Sequence, residues 1–137
     1  MSYKLFLDDE RDPKQVKWVQ MPLGPWVIVR NYDQFVKHIM EHGLPSFVSF
    51  DHDLADEHYR PSMYNKDKHY SNYYTDGTFK EKTGYECAKW LVEYCMEYQL
   101  AFPDYQVHSM NPIGAQNIRG YIESFKKNSP KYFHEEN

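Results

Sequence analysis

Short apolar runs alternate with longer amphipathic stretches along most of this chain. The segments at 4–9, 26–29, 47–50 and 105–110 predict four strands. The first three carry consecutive apolar residues, which is typical of strands in a parallel sheet. The segment at 26–29 is apolar at every position, so we expect it to be covered on both faces.

Three further segments carry apolar residues at helical spacing. Asn31 is a predicted N-cap with Gln34 as its reciprocal partner, and a capping box from Thr83 to Glu86 opens the second helix. Asn111 caps the third helix. The predicted core-facing residues are Phe35, Val36, Ile39 and Met40, then Ala88, Leu91, Val92 and Cys95, then Ile118, Tyr121, Ile122 and Phe125.

Strands separated by helices predict an α/β fold, with three layers and a mostly parallel sheet of about four strands. The connection at 13–25 is rich in proline and is expected to be irregular. Residues 55–82 form a polar, tyrosine-rich insertion after the third strand, either a lid or binding loop or a plain polar excursion. Residues 130–137 form a polar tail, and 1–137 are expected to make one domain.

Composition and charge exclude several classes of protein. The net charge of −4 disfavours broad binding to duplex nucleic acid. No stretch approaches the roughly 20 apolar residues of a membrane span, and the acidic turn after three early apolar residues predicts no signal peptide. Cys87 and Cys95 lie about 12 Å apart on one helix, too far for a disulfide. We therefore expect a cytoplasmic protein with reduced thiols; its oligomeric state is left open.

Polar groups follow three of the four predicted strands. Asp8 and Asp9 follow the first, and Asp51, His52 and Asp53 follow the third. The fourth carries His108 and leads into a helix start with Ser109, Asn111 and Gly114. Ligands of open parallel sheets bind outside the carboxyl ends of the strands. If the first, third and fourth strands are neighbours, these groups converge on one cleft.

Carboxylates crowded at one sheet edge repel one another unless a cation or bound protons neutralise them. Mg²⁺ fits such oxygen ligands best, while the imidazoles also suit Mn²⁺ or Zn²⁺. The predicted metal ligands are Asp8, Asp9, Asp51 and Asp53. A helix start also offers free N–H groups to an anion. The predicted phosphate-binding residues are Ser109, Asn111 and Gly114.

Each feature taken alone also has a purely structural interpretation. Asp8 and Asp9 are compatible with a solvated turn, His108 with a satisfied histidine beside the core, and Asn111 with a helix cap only. The joint placement of these residues at strand ends favours the functional interpretation.

Five segments, at 5–11, 29–32, 49–54, 83–85 and 107–114, together resemble the cyclic-phosphate processing receiver domain family. That family is similar to the receiver domains of response regulators. The resemblance implies a receiver-like (flavodoxin-like) fold, with Asp8, Asp9 and Asp51 at the metal-binding and phosphoryl-accepting positions. Ser109 matches the receiver hydroxyl, but no fifth strand with its lysine follows, which disfavours ordinary phospho-signalling.

The resemblance and the site together predict metal-dependent hydrolysis of a cyclic phosphate on a nucleotide or an RNA end. His52 and His108 are the predicted acid and base, since imidazole titrates near neutral pH. In an alternative mechanism Asp51 is the nucleophile and forms an aspartyl-phosphate. The alternative function is a non-catalytic degenerate receiver that binds a phosphate, a nucleotide or a partner protein.

Overall fold

The computed structural model describes residues 2–54 and 82–128. The strands are β1 (Lys4–Leu7), β2 (Trp26–Val29), β3 (Phe47–Phe50) and β4 (Asp104–Val107). The helices are α1 (Tyr32–His42), α2 (Gly84–Tyr98) and α3 (Pro112–Asn128), and a short 3₁₀ helix spans Pro13–Gln15. The predicted tail at 130–137 and, except for Lys82, the predicted insertion at 55–82 lie outside the described residues.

The four strands form one parallel sheet in the order β2-β1-β3-β4. The first, third and fourth strands are therefore neighbours, as the convergence of the site residues required. Strand β2 lies at an edge, and Ile28 is 37% exposed. The prediction that this strand is covered on both faces is confirmed for the face of Val27 and Val29, which pack in the core, and wrong for the face of the exposed Ile28.

The three helices form one layer, since α1 packs against α2 and α2 against α3. This layer and the strands bury the main core, including both cysteines, which are free. The predicted core-facing residues are buried or partly buried except Met40, which is 61% exposed at the edge of the apolar stripe of α1. None of these three helices is long and apolar enough to cross a membrane.

The irregular connection between β1 and β2 covers the opposite face of the sheet. The Trp18 indole N–H donates to the carbonyl oxygen of His108 at 2.7 Å. The Gln106 amide lies 2.9 Å from the sulfur of Met21. This connection takes the place of a helix and supplies the third layer of the predicted three-layer fold.

The helix starts follow the predicted residues, although the capping bonds differ in detail. Asn31 Oδ1 accepts from the Gln34 N–H at 2.9 Å, but the Gln34 side chain accepts from the N–H of Arg30 rather than Asn31. Helix α2 begins directly after Thr83. Within residues 2–54 and 82–128 the Thr83 hydroxyl is buried without a hydrogen-bond partner, so the predicted capping box is wrong.

Candidate metal and phosphate site

The register of the sheet builds the site. Phe6, Ser49 and Gln106 lie side by side on adjacent strands. Side chains two positions apart on a strand share a face, and the ladder hydrogen bonds continue one residue beyond each strand. The next row on this face therefore contains Asp8, Asp51 and His108.

These three side chains form a buried cluster. One possible ligand atom from each of Asp8, Asp51 and His108 lies within 4.8 Å of the other two. Asp51 Oδ2 and Asp9 Oδ1 are buried and accept no hydrogen bond from any residue in the described ranges. Asp9 is not part of the group whose atoms lie within 4.8 Å of one another. Buried carboxylate oxygens of Asp8 and Asp51, one of them unbonded, are nevertheless donors that a hard divalent cation prefers. The residues therefore fit the predicted metal.

Asp8 is held firmly in this cluster. Its Oδ1 accepts from the backbone N–H groups of Glu10 at 3.0 Å and Arg11 at 2.8 Å. Its Oδ2 lies 3.0 Å from Nε2 of His108. Burial alone would raise the pKa of Asp8, but the hydrogen bonds from His108, Arg11 and Glu10 outweigh it and lower the pKa to about 2. Asp8 is therefore a fixed, ionised carboxylate.

Asp51 and Asp9 show the opposite electrostatic effect. Burial and the nearby charges of Asp8 and Asp53 raise the pKa of Asp51 to about 8. Burial and the charges of Asp8 and Glu10 raise the pKa of Asp9 to about 6. The neighbouring side chains supply too little positive charge for these carboxylates, so either bound protons or a bound cation must neutralise them.

Asp53 belongs to a second set of hydrogen-bonded side chains, next to the cluster of Asp8, Asp51 and His108. Its Oδ1 lies 2.8 Å from Nδ1 of His52. The Asn111 amide donates to both Asp53 oxygens, at 3.2 and 3.3 Å, while Asn111 Oδ1 accepts from the Gly114 N–H at 3.0 Å. A β-carbon at Gly114 would overlap the His52 ring, so the absence of a side chain there leaves room for the imidazole. Asp53 is therefore held from two sides.

Both predicted acid–base histidines are fully buried. The His108 ring stacks on Phe6, with centroids 4.6 Å apart and planes 5° apart. His52 and His108 each contact a carboxylate, and neither is among the described residues that line the pocket. Their acid–base role stays a prediction. Because both rings are buried, His52 would act on a bound ligand only through Asp53, and His108 only through Asp8.

A pocket of about 330 Å³ opens beside the carboxylates, and it is lined by Arg11, Asp51, Asp53, Met110, Asn111, Pro112 and Ile113. Arg11 lies over the Trp18 ring at 5.1 Å, and its Nη1 is 3.5 Å from Asp8 Oδ2. Arg30 Nη1 donates to the carbonyl oxygens of Asp8 at 3.1 Å and Arg11 at 2.6 Å, which fixes this loop. One pocket thus presents carboxylates and a guanidinium, a combination suited to an anion and its metal.

Sequence reasoning missed Arg11, Met110 and Ile113 as pocket residues. The signal for Arg11 was its place directly after the acidic stretch that follows β1. Two predicted phosphate-binding groups already have partners: Ser109 Oγ accepts from the Asn111 N–H at 3.1 Å, and the Gly114 N–H is bonded to the Asn111 side chain. The phosphate roles of Ser109, Asn111 and Gly114 stay predictions.

Comparison with models of known protein families gives a match over most of the chain. A family model described as cyclic-phosphate processing receiver domain matches residues 3–124. The matched region contains all four strands, helices α1 and α2, most of α3, and every residue assigned above to the cluster and the pocket. A search of curated proteins found no match, and a search of solved structures found none either.

Proposed function

The chain belongs to the cyclic-phosphate processing receiver domain family, and on that premise we propose that it hydrolyses a cyclic phosphate on a nucleotide or an RNA end. The observation that carries this proposal is the shared pocket of Arg11 and Asp51, next to Asp8. A guanidinium beside crowded acidic oxygens matches a phosphate that binds together with a metal ion.

We assign Asp8, Asp9 and Asp51 as metal ligands, with Mg²⁺ as the preferred ion and Mn²⁺ or Zn²⁺ as alternatives. A divalent cation bound there supplies charge neutralisation for the phosphate. Arg11, whose Nη1 lies 3.5 Å from Asp8 Oδ2, binds the phosphate oxygens beside the metal ligands, and its stacking on Trp18 restricts the orientation of the guanidinium.

Ring opening adds one water across a P–O bond, so one proton leaves the water and one proton reaches the departing oxygen. We assign Asp53 to accept the proton from the water, since its carboxylate lines the pocket. His52 supports this role through its 2.8 Å hydrogen bond to Asp53. The departing oxygen takes its proton from water in the open pocket.

One observation favours the second candidate function, a non-catalytic module that binds a cyclic phosphate without cleaving it. His52 and His108 are both fully buried, so no imidazole among the described residues faces the pocket. A binding module requires only the cation, Arg11 and the carboxylates.

The test that separates the two candidates is a screen of 2′,3′-cyclic nucleotides, 3′,5′-cyclic nucleotides and RNA ends with a cyclic phosphate. Each substrate is incubated with the protein and Mg²⁺, Mn²⁺ or Zn²⁺, and the products are identified by mass spectrometry. We expect a linear phosphomonoester from at least one class. A thermal shift with ligand but no product from any class would support the binding module and overturn hydrolysis.

The Arg11→Ala variant tests the pocket assignment. Loss of one charge-assisted hydrogen bond to phosphate costs about 1.5–3 kcal/mol, so we expect KM to rise roughly 10–100-fold, given tenfold per 1.4 kcal/mol. Lys37→Ala is the matched control, because Lys37 is an exposed cation paired only loosely with Glu41, at 3.9 Å. Equal KM values for the two variants would remove Arg11 from the site.

A further inference from the structure

A chain of hydrogen bonds runs behind Asp8 into the sheet. Gln106 Nε2 lies 3.2 Å from the Ser49 hydroxyl oxygen, and that oxygen lies 2.7 Å from Nδ1 of His108. Nε2 of His108 is 3.0 Å from Asp8 Oδ2. All four side chains share one sheet face, so Gln106 in the strand interior is connected through Ser49 and His108 to the candidate metal ligand Asp8.

The direction of this chain follows from counting donors and acceptors. The nitrogen of the Gln106 amide also contacts the sulfur of Met21 at 2.9 Å, and a thioether only accepts. The NH₂ group of Gln106 therefore faces both neighbours, and Ser49 accepts a hydrogen bond from it. Within residues 2–54 and 82–128, the remaining acceptor for the single hydroxyl proton of Ser49 is Nδ1 of His108.

Nδ1 of His108 is consequently an acceptor and carries no proton. The ring proton must then lie on Nε2, where it is donated to Asp8 Oδ2. The opposite tautomer would leave the Ser49 hydroxyl without an acceptor and would place the Nε2 lone pair against a carboxylate oxygen. A doubly protonated ring would also leave the Ser49 proton without an acceptor.

We propose that Ser49 is a positioning residue that holds His108 with Nδ1 as an acceptor and Nε2–H donated to Asp8, so that its ring orients Asp8 and does not bind the metal. An Nε2 atom that carries a proton has no lone pair for a cation. The metal would then be held by carboxylates alone. This consequence for the metal rests on the proposed function, whereas the tautomer itself does not.

The experiment is long-range ¹H–¹⁵N correlation NMR of metal-free protein labelled with ¹⁵N-histidine. The pattern of nitrogen shifts and couplings identifies the protonated ring nitrogen directly. We expect His108 to show a protonated Nε2 and an unprotonated Nδ1. A protonated Nδ1 in the unmodified protein would overturn the proposal without any variant.

Two variants at position 106 test whether the hydroxyl proton of Ser49 determines which ring nitrogen of His108 is protonated. Gln106→Glu supplies an acceptor to the Ser49 hydroxyl, so Ser49 can no longer donate to His108 and Nδ1 should become protonated. Gln106→Leu is the control, because it removes the amide without supplying an acceptor and should keep the Nε2–H pattern. An unchanged pattern in a folded Gln106→Glu protein would overturn the assignment, and if that variant does not fold, a lost Nε2–H pattern in Gln106→Leu would do so.

Titration of the unmodified protein with Mg²⁺ and Zn²⁺ tests the consequence for the metal. The Nε2–H signature of His108 should persist at saturation, and its loss would show that His108 is a ligand. Failure of every cyclic phosphate to be hydrolysed would overturn the proposed function alone, since the tautomer is measured without metal or substrate.

Discussion

Gly84 packs against the backbone of Asp51 so closely that a β-carbon at position 84 would overlap the Asp51 carbonyl oxygen. The Gly84 N–H also donates to the carbonyl oxygen of His52 at 2.8 Å. The first residue of α2 is therefore attached to the segment that carries three of the site residues, Asp51, His52 and Asp53. Any side chain at position 84 must displace either the helix or the strand end.

Gly84→Ala should destabilise the protein by roughly 1–3 kcal/mol, the usual range for overpacking against atoms that cannot move aside. Gly120→Ala is the matched control, since Gly120 lies in helix α3 with nothing within 4 Å of the added carbon. That change should stabilise the protein by about 0.5–1 kcal/mol. Urea unfolding measures both, and a neutral Gly84→Ala would contradict the packing described.

Gly114→Ala should disturb the site more than the fold. The added carbon would lie 2.8 Å from Nδ1 of His52 and closer still to other ring atoms. The ring must then rotate away from Asp53 and lose their hydrogen bond. Changes to groups that orient a ligand or catalytic residue typically cost 10–100-fold in activity, so we expect turnover to fall by about that factor. Unchanged His52 nitrogen shifts in this variant would contradict the prediction.

The metal-free protein should lose stability as the pH rises from about 4 to 8. Asp51 has its pKa raised from 3.8 to about 8 in the folded state. A carboxyl with a raised pKa contributes stability that is fully present below its unfolded pKa and is lost as the pH rises through the folded value. Asp9, raised to about 6, acts in the same direction. Saturating Mg²⁺ should restore the lost stability.

Asp51→Asn checks the source of this pH dependence. One pKa unit corresponds to about 1.4 kcal/mol, so the variant should be more stable than the original metal-free protein at pH 8 by at least about that amount. It should also lose most of the stabilisation by Mg²⁺. Asp104→Asn, at an exposed carboxylate, is the control and should change neither property. The measurement is thermal unfolding from pH 4 to pH 9, with and without Mg²⁺.

The two cysteines should be unreactive in the folded protein. Cys87 and Cys95 are both fully buried, and burial raises the pKa of the Cys95 thiol to about 12. Reaction with a thiol reagent at pH 8 should be at least about a thousandfold slower than in denatured protein, because domains of ordinary stability are unfolded less than about 10⁻³ of the time. A rapid reaction of either thiol in native protein would show that helix α2 opens locally.

The periodicity of the strands was sufficient to place part of the site. The bounds predicted for β2 and β3 match the structure. Asp8 and Asp51 come directly after β1 and β3 and continue the alternation of side chains along those strands. Because β1 and β3 are neighbours in the sheet, the two carboxylates lie close together. His108 joins them because strand β4 stands in register with β3.

Other features depend on contacts that periodicity does not encode. Asp53 lies beyond the end of β3, where the alternation of the strand no longer governs direction, so its hydrogen bonds to His52 and Asn111 required the structure. Arg11 is positioned by two hydrogen bonds: its backbone N–H donates to the Asp8 carboxylate, and its carbonyl oxygen accepts from the side chain of Arg30. Met40 has the right helical spacing but lies beyond the part of α1 that faces the sheet.

The hydrogen bond between Asp8 and His108 joins residues that are 100 positions apart in the sequence. The two side chains come into contact only after β4 has paired with β3. A growing polypeptide that ends before residue 108 therefore has no complete site, however well its first strands have formed. During synthesis, chemistry at this centre must wait for almost the whole matched region to leave the ribosome and close the sheet.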